Sequence, residues 1–433
     1  MGVIRSIARR VQESLFFIPA VVITACIALA ALALYVDSEV PEFLGDLRFV
    51  IAPTVAGARS IVSTVAGATI TVAAIVFSIT ALSTQIASNQ YSPRAVKGFF
   101  EDRFQQIVIG FVVGTFSYSL VVLTGLGSVV PSPESTSSSV SVTLAIAFGV
   151  LSTVAIVAYI DHSLRRMQID VVVRRIAEET VASIRHHSRD FPRGPNYSES
   201  RDPEGAPVSL NSKKTGWVQR ISPDRILSAL SPGAMARVEV GPGEAVSEGD
   251  VLLTYWPAVT EPGSIDEAAL IRGIEVRRER SIENDPSFGI RLLIDIALRA
   301  LSPGIHDPTT AVDVLHHLKL PMRELLTTDA PARVHTGTEG EKVYLPEVLS
   351  TSSQVHAAFA EIRLAAADQP YVIKTLVEIL SDLMISVRAA DREGQEAAIL
   401  AEARLAVDAL RHSGLPERDV EWAVGSTGVL NLD

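Results

Sequence analysis

Four long stretches without Asp, Glu, Lys or Arg constrain this chain more than any other feature. Residues 14–36, 60–93, 104–133 and 135–160 carry no formal charge, and they are 23, 34, 30 and 26 residues long. Each is longer than the roughly 20 residues that a helix needs to cross a hydrocarbon core of about 30 Å. After residue 161 the longest such stretch has 13 residues. The sequence therefore predicts a membrane half followed by a soluble half.

Composition excludes several classes of protein. Of the 433 residues, 48% are hydrophobic and only 20% are charged, which does not fit an ordinary soluble enzyme or a disordered chain. The single cysteine, Cys26, rules out an intrachain disulfide and a cysteine-based metal cluster. Residues 176–433 hold 26 Lys and Arg against 39 Asp and Glu. Such an acidic half argues against a nucleic-acid partner, and no motif predicts a cofactor or a bound metal.

The predicted fold class is an α-helical polytopic membrane protein with four transmembrane helices and a cytoplasmic α+β domain that contains a small β module. The membrane domain covers residues 1–163, with spans at about 14–36, 64–88, 105–129 and 139–161. The predicted segments that follow are a helical extension of span four at 164–189, a flexible linker at 190–214, the β module at 215–260 and a mainly helical domain at 261–433.

Loop charges predict the orientation of the spans. Lys and Arg cluster before span one, between spans two and three and after span four, whereas residues 130–139 contain neither. Because positive residues favour the cytoplasmic side, both termini are predicted to be cytoplasmic, in a multi-pass plasma-membrane protein.

Span two carries a regular line of small and polar residues at alternating steps of four and three. This span-two stripe comprises Ser60, Thr64, Gly67, Thr71, Ala74, Ser78, Ala81, Gln85 and Ser88, with Asn89 beside its end. Two interpretations stay open. Small residues let helices pack closely, and hydroxyl and amide groups can also line a water-filled pathway formed by several subunits. In the second case Arg94 and Arg103 would lie at the inner mouth and favour anions.

Span three contains Gly110 and Gly114, a GxxxG pair that is typical of a helix-packing face.

In the soluble half, three short pieces rich in β-formers predict strands at Trp217–Ile221, Ala236–Val240 and Val251–Tyr255. The turns between the last two resemble the hairpin of barrel-sandwich folds, without the modified lysine of that class. Tyr371–Val387 and Gly394–His412 predict two amphipathic helices.

The densest cluster of polar residues lies between positions 280 and 310. Asp285-Pro286 and Asp307-Pro308 each predict the start of a capped helix, and Ser302-Pro303-Gly304 predicts the break between the two. The candidate residues of this cytoplasmic motif are Arg280, Asp285, Asp295, Arg299, Ser302, His306, Asp307 and Thr310, with Asp295 and Arg299 spaced to pair on one helix. An alternative role is a metal-dependent site formed by His306, Asp307, Asp313, His316 and His317, although the spacing fixes no third ligand.

Several of these stretches together resemble one family. The motifs are Phe77-Ser78-Ile79, the segment from Ala87 to Arg94, Asp102-Arg103, the segment from Gly110 to Tyr118, and the segment from Ala300 to Ala311. In this order they resemble the bacterial predicted membrane proteins grouped as domain of unknown function family 2254, over roughly residues 14–412. His306 departs from the pattern, which more usually has Asn before Asp-Pro. The resemblance implies four spans and a cytoplasmic domain, and no established reaction.

The leading hypothesis is a homo-oligomeric, channel-like protein in which span two contributes the central face and the cytoplasmic domains support or gate it. Its partners would be the lipid bilayer, further copies of the chain, and an ion or small solute. The first alternative is a membrane-anchored scaffold or regulator, whose stripe packs within its own chain. The second is a membrane-bound metal-dependent hydrolase.

Overall fold

The computed structural model describes residues 17–39, 53–90, 103–128, 140–166, 168–190, 206–257, 266–329, 332–346 and 351–425. The chain divides into two compact units, Met1–Gln168 and Ile169–Asp433.

The first unit contains the four predicted spans, each helix being long and apolar enough to cross a membrane. They are α1 (Phe17–Glu39), α2 (Val55–Gln90), α3 (Arg103–Ser128) and α4 (Val140–Arg166). Helix α3 packs against the other three and has the largest buried share of the four. The sequence-based prediction of four transmembrane helices is therefore confirmed.

Glycines bring α1 and α3 into close contact. A Cβ on Gly110 would lie 2.8 Å from the Cα of Pro19, and a Cβ on Gly114 would lie 2.8 Å from the Sγ of Cys26. Since real Cβ atoms do not approach other atoms this closely, only glycine fits at either position. The GxxxG pair is a packing face, as its spacing predicts.

Two helix ends in this unit are capped by side chains from other helices. The carboxylate of Asp37 on α1 accepts hydrogen bonds from the backbone N–H groups of Val140 (2.7 Å) and Ser141 (3.1 Å) at the start of α4. The guanidinium of Arg59 on α2 donates to the carbonyl of Leu126 near the end of α3 (2.9 Å). These bonds satisfy backbone groups that have no partner within their own helix.

The helical extension predicted after span four is a separate helix, so that prediction is wrong in one respect. Helix α4 ends at Arg166, and α5 (Ile169–Asp190) belongs to the second unit. Val173, Ala177 and Thr180 of α5 are fully buried, and the helix packs on other helices of that unit. Its apolar face is covered by protein, which explains why it is amphipathic, whereas α4 carries no charged residue before Asp161.

The second unit contains two β-sheets. The strands are β1 (Val208–Asn211), β2 (Gly216–Ile221), β3 (Met235–Val238), β4 (Ala245–Val246), β5 (Val251–Trp256), β6 (Ile274–Arg277), β7 (Val334–Thr336) and β8 (Lys342–Tyr344). Their order is β1-β5-β3-β8-β7 in one sheet and β4-β2-β6 in the other. All pairs are antiparallel except β3 with β8. The two sheets share one apolar core, and the likeness to a barrel-sandwich hairpin stays a prediction.

Strands also occur where the sequence predicted none. Strand β1 lies inside the range assigned to a linker, because Leu210 is buried and the strand pairs with β5. Residues 191–205 of that range lie outside the described residues. Strands β7 and β8 lie within the range predicted as mainly helical. They add to the edge of the first sheet through β3, far away in sequence.

Helices form the rest of the described part of this unit; the first two pack on the core of the sheets, and the later ones form a helical layer. They are α6 (Pro223–Leu227), α7 (Glu267–Arg272), α8 (Pro286–Ala300), α9 (Pro308–Thr327), α10 (Thr351–Ala365), α11 (Pro370–Ala389), α12 (Glu396–Arg411) and α13 (Glu417–Val424). The two predicted amphipathic helices are α11 and α12. Helix α11 lies at the centre, between α9, α12 and α13, and most of its residues are buried.

Candidate functional site

The span-two stripe lies on the outer surface of the first unit. Its exposed members are Ser60, Thr64, Gly67, Thr71, Ala74, Ser78, Ala81 and Gln85. The buried face of α2 is a different one and includes Ala58, Val62, Ala66, Ala73 and Val76. A Cβ built on Gly67 would meet no atom within 4 Å. Within a single chain the stripe is therefore not a packing seam.

Three hydroxyls of the stripe donate their hydrogen to the backbone of their own helix. Thr64 Oγ1 donates to the carbonyl of Ser60 (2.7 Å), Thr71 Oγ1 to that of Gly67 (2.9 Å) and Ser78 Oγ to that of Ala74 (2.9 Å). Because a hydroxyl has one hydrogen and two lone pairs, each oxygen keeps its acceptor capacity for a neighbour outside the chain. The stripe thus carries no formal charge and presents these acceptor oxygens, small residues and the Gln85 amide, which has both donor and acceptor atoms.

The remaining membrane candidates are only partly described. Asn89 lies in α2, but its side chain, like that of Ser88, falls outside the described residues. Arg94 also lies outside them. Arg103 is the first residue of α3 and is exposed.

Arg280 and Asp285 form a buried ion pair in the second unit. Arg280 donates to Asp285 Oδ2 from Nε (2.7 Å) and Nη2 (2.6 Å), and Asp285 Oδ1 accepts from the backbone N–H of Phe288, which caps α8. The guanidinium carbon lies 5.5 Å from the ring centroid of Trp217 and 5.0 Å from that of Phe288. The pair joins the three-stranded sheet to the helical layer, a role typical of structural arginines.

Gly243 explains how the backbone can lie directly against the pair. Its φ of +85° is a left-handed conformation, and a Cβ there would meet the Asp285 carboxylate and the Arg280 guanidinium. Trp217 and Gly243, which lie against Arg280 in the structure, are far from it in the sequence. The spacing of the motif could not reveal these contacts, although the aromatic residue and the Gly-Pro-Gly turn are visible in the sequence.

The corner between α8 and α9 contains Ser302, His306, Asp307 and Thr310. Asp307 Oδ1 accepts from the backbone N–H of Thr310 (3.1 Å) and Oδ2 accepts from its hydroxyl (2.6 Å), so the predicted cap of α9 is confirmed. These bonds, led by the hydroxyl, hold the pKa of Asp307 below its usual value. Ser302 Oγ donates back to the carbonyl of Arg299 (2.7 Å).

His306 adopts a left-handed backbone conformation, with φ of +49°. Asn, Asp and His enter this region more readily than other non-glycine residues. The backbone conformation at this position therefore favours residue types such as His. The imidazole is exposed and sits at a turn of the backbone.

Asp295 pairs with Arg291, which has the same i, i+4 spacing to it as Arg299. It accepts from Arg291 Nε (2.7 Å), one turn earlier on α8, and Arg291 also pairs with Glu361. The Nε of Arg299 is buried and finds no hydrogen-bond partner among the described residues, so the pairing of Arg299 with Asp295 stays a prediction. Arg291 has the same i, i+4 spacing to Asp295, so spacing alone does not choose between the two arginines.

The hydrolase alternative gains no support from the geometry. Among the described residues, no group of three His, Cys, Asp or Glu side chains is arranged to hold a metal ion. His317 Nδ1 lies 2.8 Å from the carbonyl of Asp313, the preceding turn of its own helix.

A polar cluster around a buried glutamate in the helical layer escaped the sequence-based prediction. Glu402 on α12 is 2% exposed, and its carboxylate accepts from Arg363 Nε (2.8 Å) and lies 3.0 Å from His356 Nδ1, both on α10. The sequence does contain a signal for this cluster, because Glu402 falls on the apolar face of an amphipathic helix, where a charged residue needs a partner. The cluster fastens α10 to α12.

Comparison with known proteins fits this architecture. A family model described as predicted membrane protein (DUF2254) matches residues 12–382. Uncharacterized proteins of Mycobacterium tuberculosis and Mycobacterium bovis are 29% identical to the chain over 357 residues, which is 79% of this chain and 67% of theirs. No solved structure matches. With four apolar helices and a family match over most of its length, the chain belongs to the DUF2254 family of predicted membrane proteins.

Proposed function

We propose that this protein is a homo-oligomeric, channel-like membrane protein whose copies meet along the span-two stripe. The stripes would line or flank a central pathway, and the second unit would form the regulatory part on the cytoplasmic side of the plasma membrane. One observation carries the proposal, namely that the stripe is exposed along its described length in the single chain.

A lipid-facing surface favours large apolar side chains, because lipid tails pack well against them. The exposed parts of α2 beside the stripe follow this rule, with Ile70, Ile75, Phe77 and Leu82. The stripe breaks the rule over more than five helical turns. Small residues with hydroxyls are typical of surfaces where a second helix or water approaches the backbone. The scaffold alternative, in which the stripe packs within its own chain, does not fit this exposure.

The chemistry of the stripe also indicates what would pass along it. Since the hydroxyl hydrogens of Thr64, Thr71 and Ser78 are donated to their own helix, these three side chains present lone pairs outward, and among the described polar groups of the stripe the Gln85 amide adds N–H donors at one end. Lone pairs attract water hydrogens and cations, whereas anions need donors. The proposed permeant is therefore a monovalent cation or a small neutral solute, in contrast to the anion preference expected from Arg94 and Arg103.

Gly67→Leu tests the proposal because the position is open within the chain. A side chain there would start with no atom within 4 Å of its Cβ, so a leucine leaves the four-helix unit intact while filling the space where a second copy would pack. The matched control is Ile70→Leu, an exposed position of α2 outside the stripe. Size-exclusion chromatography with light scattering in detergent and cation flux into liposomes provide the two measurements.

The expected result is an oligomer with flux in the natural protein and in Ile70→Leu, and a smaller species with reduced flux in Gly67→Leu. A natural protein that is monomeric and without flux contradicts the proposal. An oligomer that Gly67→Leu leaves intact shows that the copies meet elsewhere.

A further inference from the structure

A hydrogen-bonded hub connects three spans on the side of α2 that faces away from the stripe. Thr80 Oγ1 lies 2.6 Å from Tyr159 Oη on α4, and Gln105 Nε2 on α3 donates to the same threonine oxygen (3.3 Å). Thr80 Oγ1 itself donates to the carbonyl of Val76 (2.8 Å). One turn further, Ser83 Oγ lies 3.2 Å from Ser163 Oγ on α4.

The hub uses the full hydrogen-bonding capacity of Thr80. With its single hydrogen on the Val76 carbonyl, the threonine oxygen has two lone pairs, which accept from Tyr159 and Gln105. Tyr159 is 1% exposed, so its hydroxyl depends on a partner inside the protein. Three helices are therefore joined at one atom in an apolar surrounding.

The position of the hub on α2 decides which face of the helix points outward. At about 100° per residue, Thr80 lies about 200° from Ser78 and Ser83 about 140° from it. Both are close to the side opposite the stripe. The neighbours of Thr80 are Ile79 and Ala81, which offer no hydroxyl, so rotating α2 by one residue would take the shared threonine oxygen away from Tyr159 and Gln105.

We propose that Thr80 and Tyr159 are positioning residues that fix the rotation of α2 about its axis, so that the stripe is presented to a neighbouring copy. This inference rests on the proposed assembly through the stripe. Apolar packing at Val62, Ala73 and Val76 holds α2 in the bundle, but hydrophobic contacts are not directional and do not by themselves fix the rotation of the helix. The hub adds the directional requirement that apolar contacts lack.

Disulfide formation between single cysteines in membranes tests this inference. Cysteine replaces either Ser78, on the stripe, or Phe77, which is also exposed but lies about 100° away, in a Cys26→Ala background. Copper phenanthroline catalyses cross-linking of the full-length protein. When Thr80 and Tyr159 are unchanged, we expect the protein with cysteine at position 78 to form clearly more cross-linked dimer than the protein with cysteine at position 77.

Tyr159→Phe removes the hydroxyl while keeping the ring, and Thr80→Val removes its partner. Each is expected to lower the 78-to-77 cross-linking ratio by about threefold, the population change that corresponds to one average interhelical hydrogen bond in a membrane. Thr80→Ser keeps the hydroxyl and should keep the ratio, which separates orientation from general loss of packing.

The two ways in which the experiment can fail are distinguishable. If position 78 cross-links selectively and Tyr159→Phe and Thr80→Val leave the ratio unchanged, the positioning role is overturned while the assembly stands. If neither position cross-links with the hub intact, the assembly through the stripe fails, and this inference with it.

Discussion

Arg280 Nη2 lies 2.6 Å from Asp285 Oδ2, and only 2% of the Asp285 side chain is exposed. Removing Asp285 leaves the guanidinium of Arg280, which is only 21% exposed, without its partner and also removes the cap of α8. Asp285→Ala should therefore lower the free energy of unfolding by about 3 kcal/mol. Chemical unfolding of the full-length protein in detergent, followed by tryptophan fluorescence, measures the change.

Asp266 provides a matched control for this substitution. It also caps a helix, accepting from the backbone N–H of Ala269 (2.9 Å), and it also pairs with an arginine, Arg272 (3.1 Å). Its side chain is 61% exposed, so solvent screens the pair. Asp266→Ala should have a much smaller effect, and equal effects of the two substitutions would contradict the role of burial.

Gly289 on α8 lies against Thr180 on α5 with no room for a Cβ. Gly289→Ala should force the two helices apart and cost about 1–3 kcal/mol, the usual range for overpacking. Gly304→Ala is the control, because a Cβ there meets nothing within 4 Å. Hydrogen exchange at α5 amides should rise in the first variant alone, and unchanged protection there would show that α5 does not depend on this contact.

Local signals predicted the helical part of the second unit well, and for a clear reason. Asp285-Pro286 and Asp307-Pro308 combine a side-chain cap with a proline at the first helical position, and both carboxylates bond to the N–H three residues later. All of the atoms involved lie within four residues. The sequence therefore contains the whole interaction.

Longer-range features could not be predicted from the same patterns. The parallel pairing of Arg237 with Tyr344 joins residues more than a hundred positions apart, and neither strand signals its partner. Likewise, periodicity placed Thr64, Thr71 and Ser78 on one face of α2, but it contains no information on what lies opposite that face. That the face is exposed follows only from the way α2 packs on α3 and α4.

Cys26 and Gly114 should be energetically coupled across α1 and α3. Gly114→Ala places a methyl group 2.8 Å from Cys26 Sγ and should cost about 1–3 kcal/mol. Cys26→Ala removes the sulfur and should recover part of this cost in the double variant. Thermal unfolding of the four variants in detergent gives the coupling energy, and strictly additive effects would mean that the two positions do not interact.

Acid should weaken the second unit through His335. Burial lowers the pKa of His335 despite the nearby carboxylate of Asp224, while its Nε2 lies 3.1 Å from the carbonyl of Ala332. The folded state thus binds fewer protons than the unfolded state. The stabilisation is complete above the unfolded pKa of about 6.5 and is lost as the pH falls towards the lower folded value.

His335→Gln removes the titrating group and keeps a donor. Unfolding midpoints measured between pH 7.5 and pH 5 should fall less steeply in this variant than in the natural protein. His316→Gln, at an exposed position of α9, should keep the natural slope. Parallel slopes for all three proteins would contradict a contribution from His335.

The caps supplied by Asp37 and Arg59 have a consequence for biosynthesis. In each case the capping side chain precedes the helix end that it completes, since Asp37 on α1 serves the start of α4 and Arg59 on α2 serves the end of α3. A chain inserted from its N-terminus therefore has each capping group in the membrane before the backbone that needs it emerges. The last two helices can be completed as they arrive, so the order of synthesis and the order of stabilisation coincide.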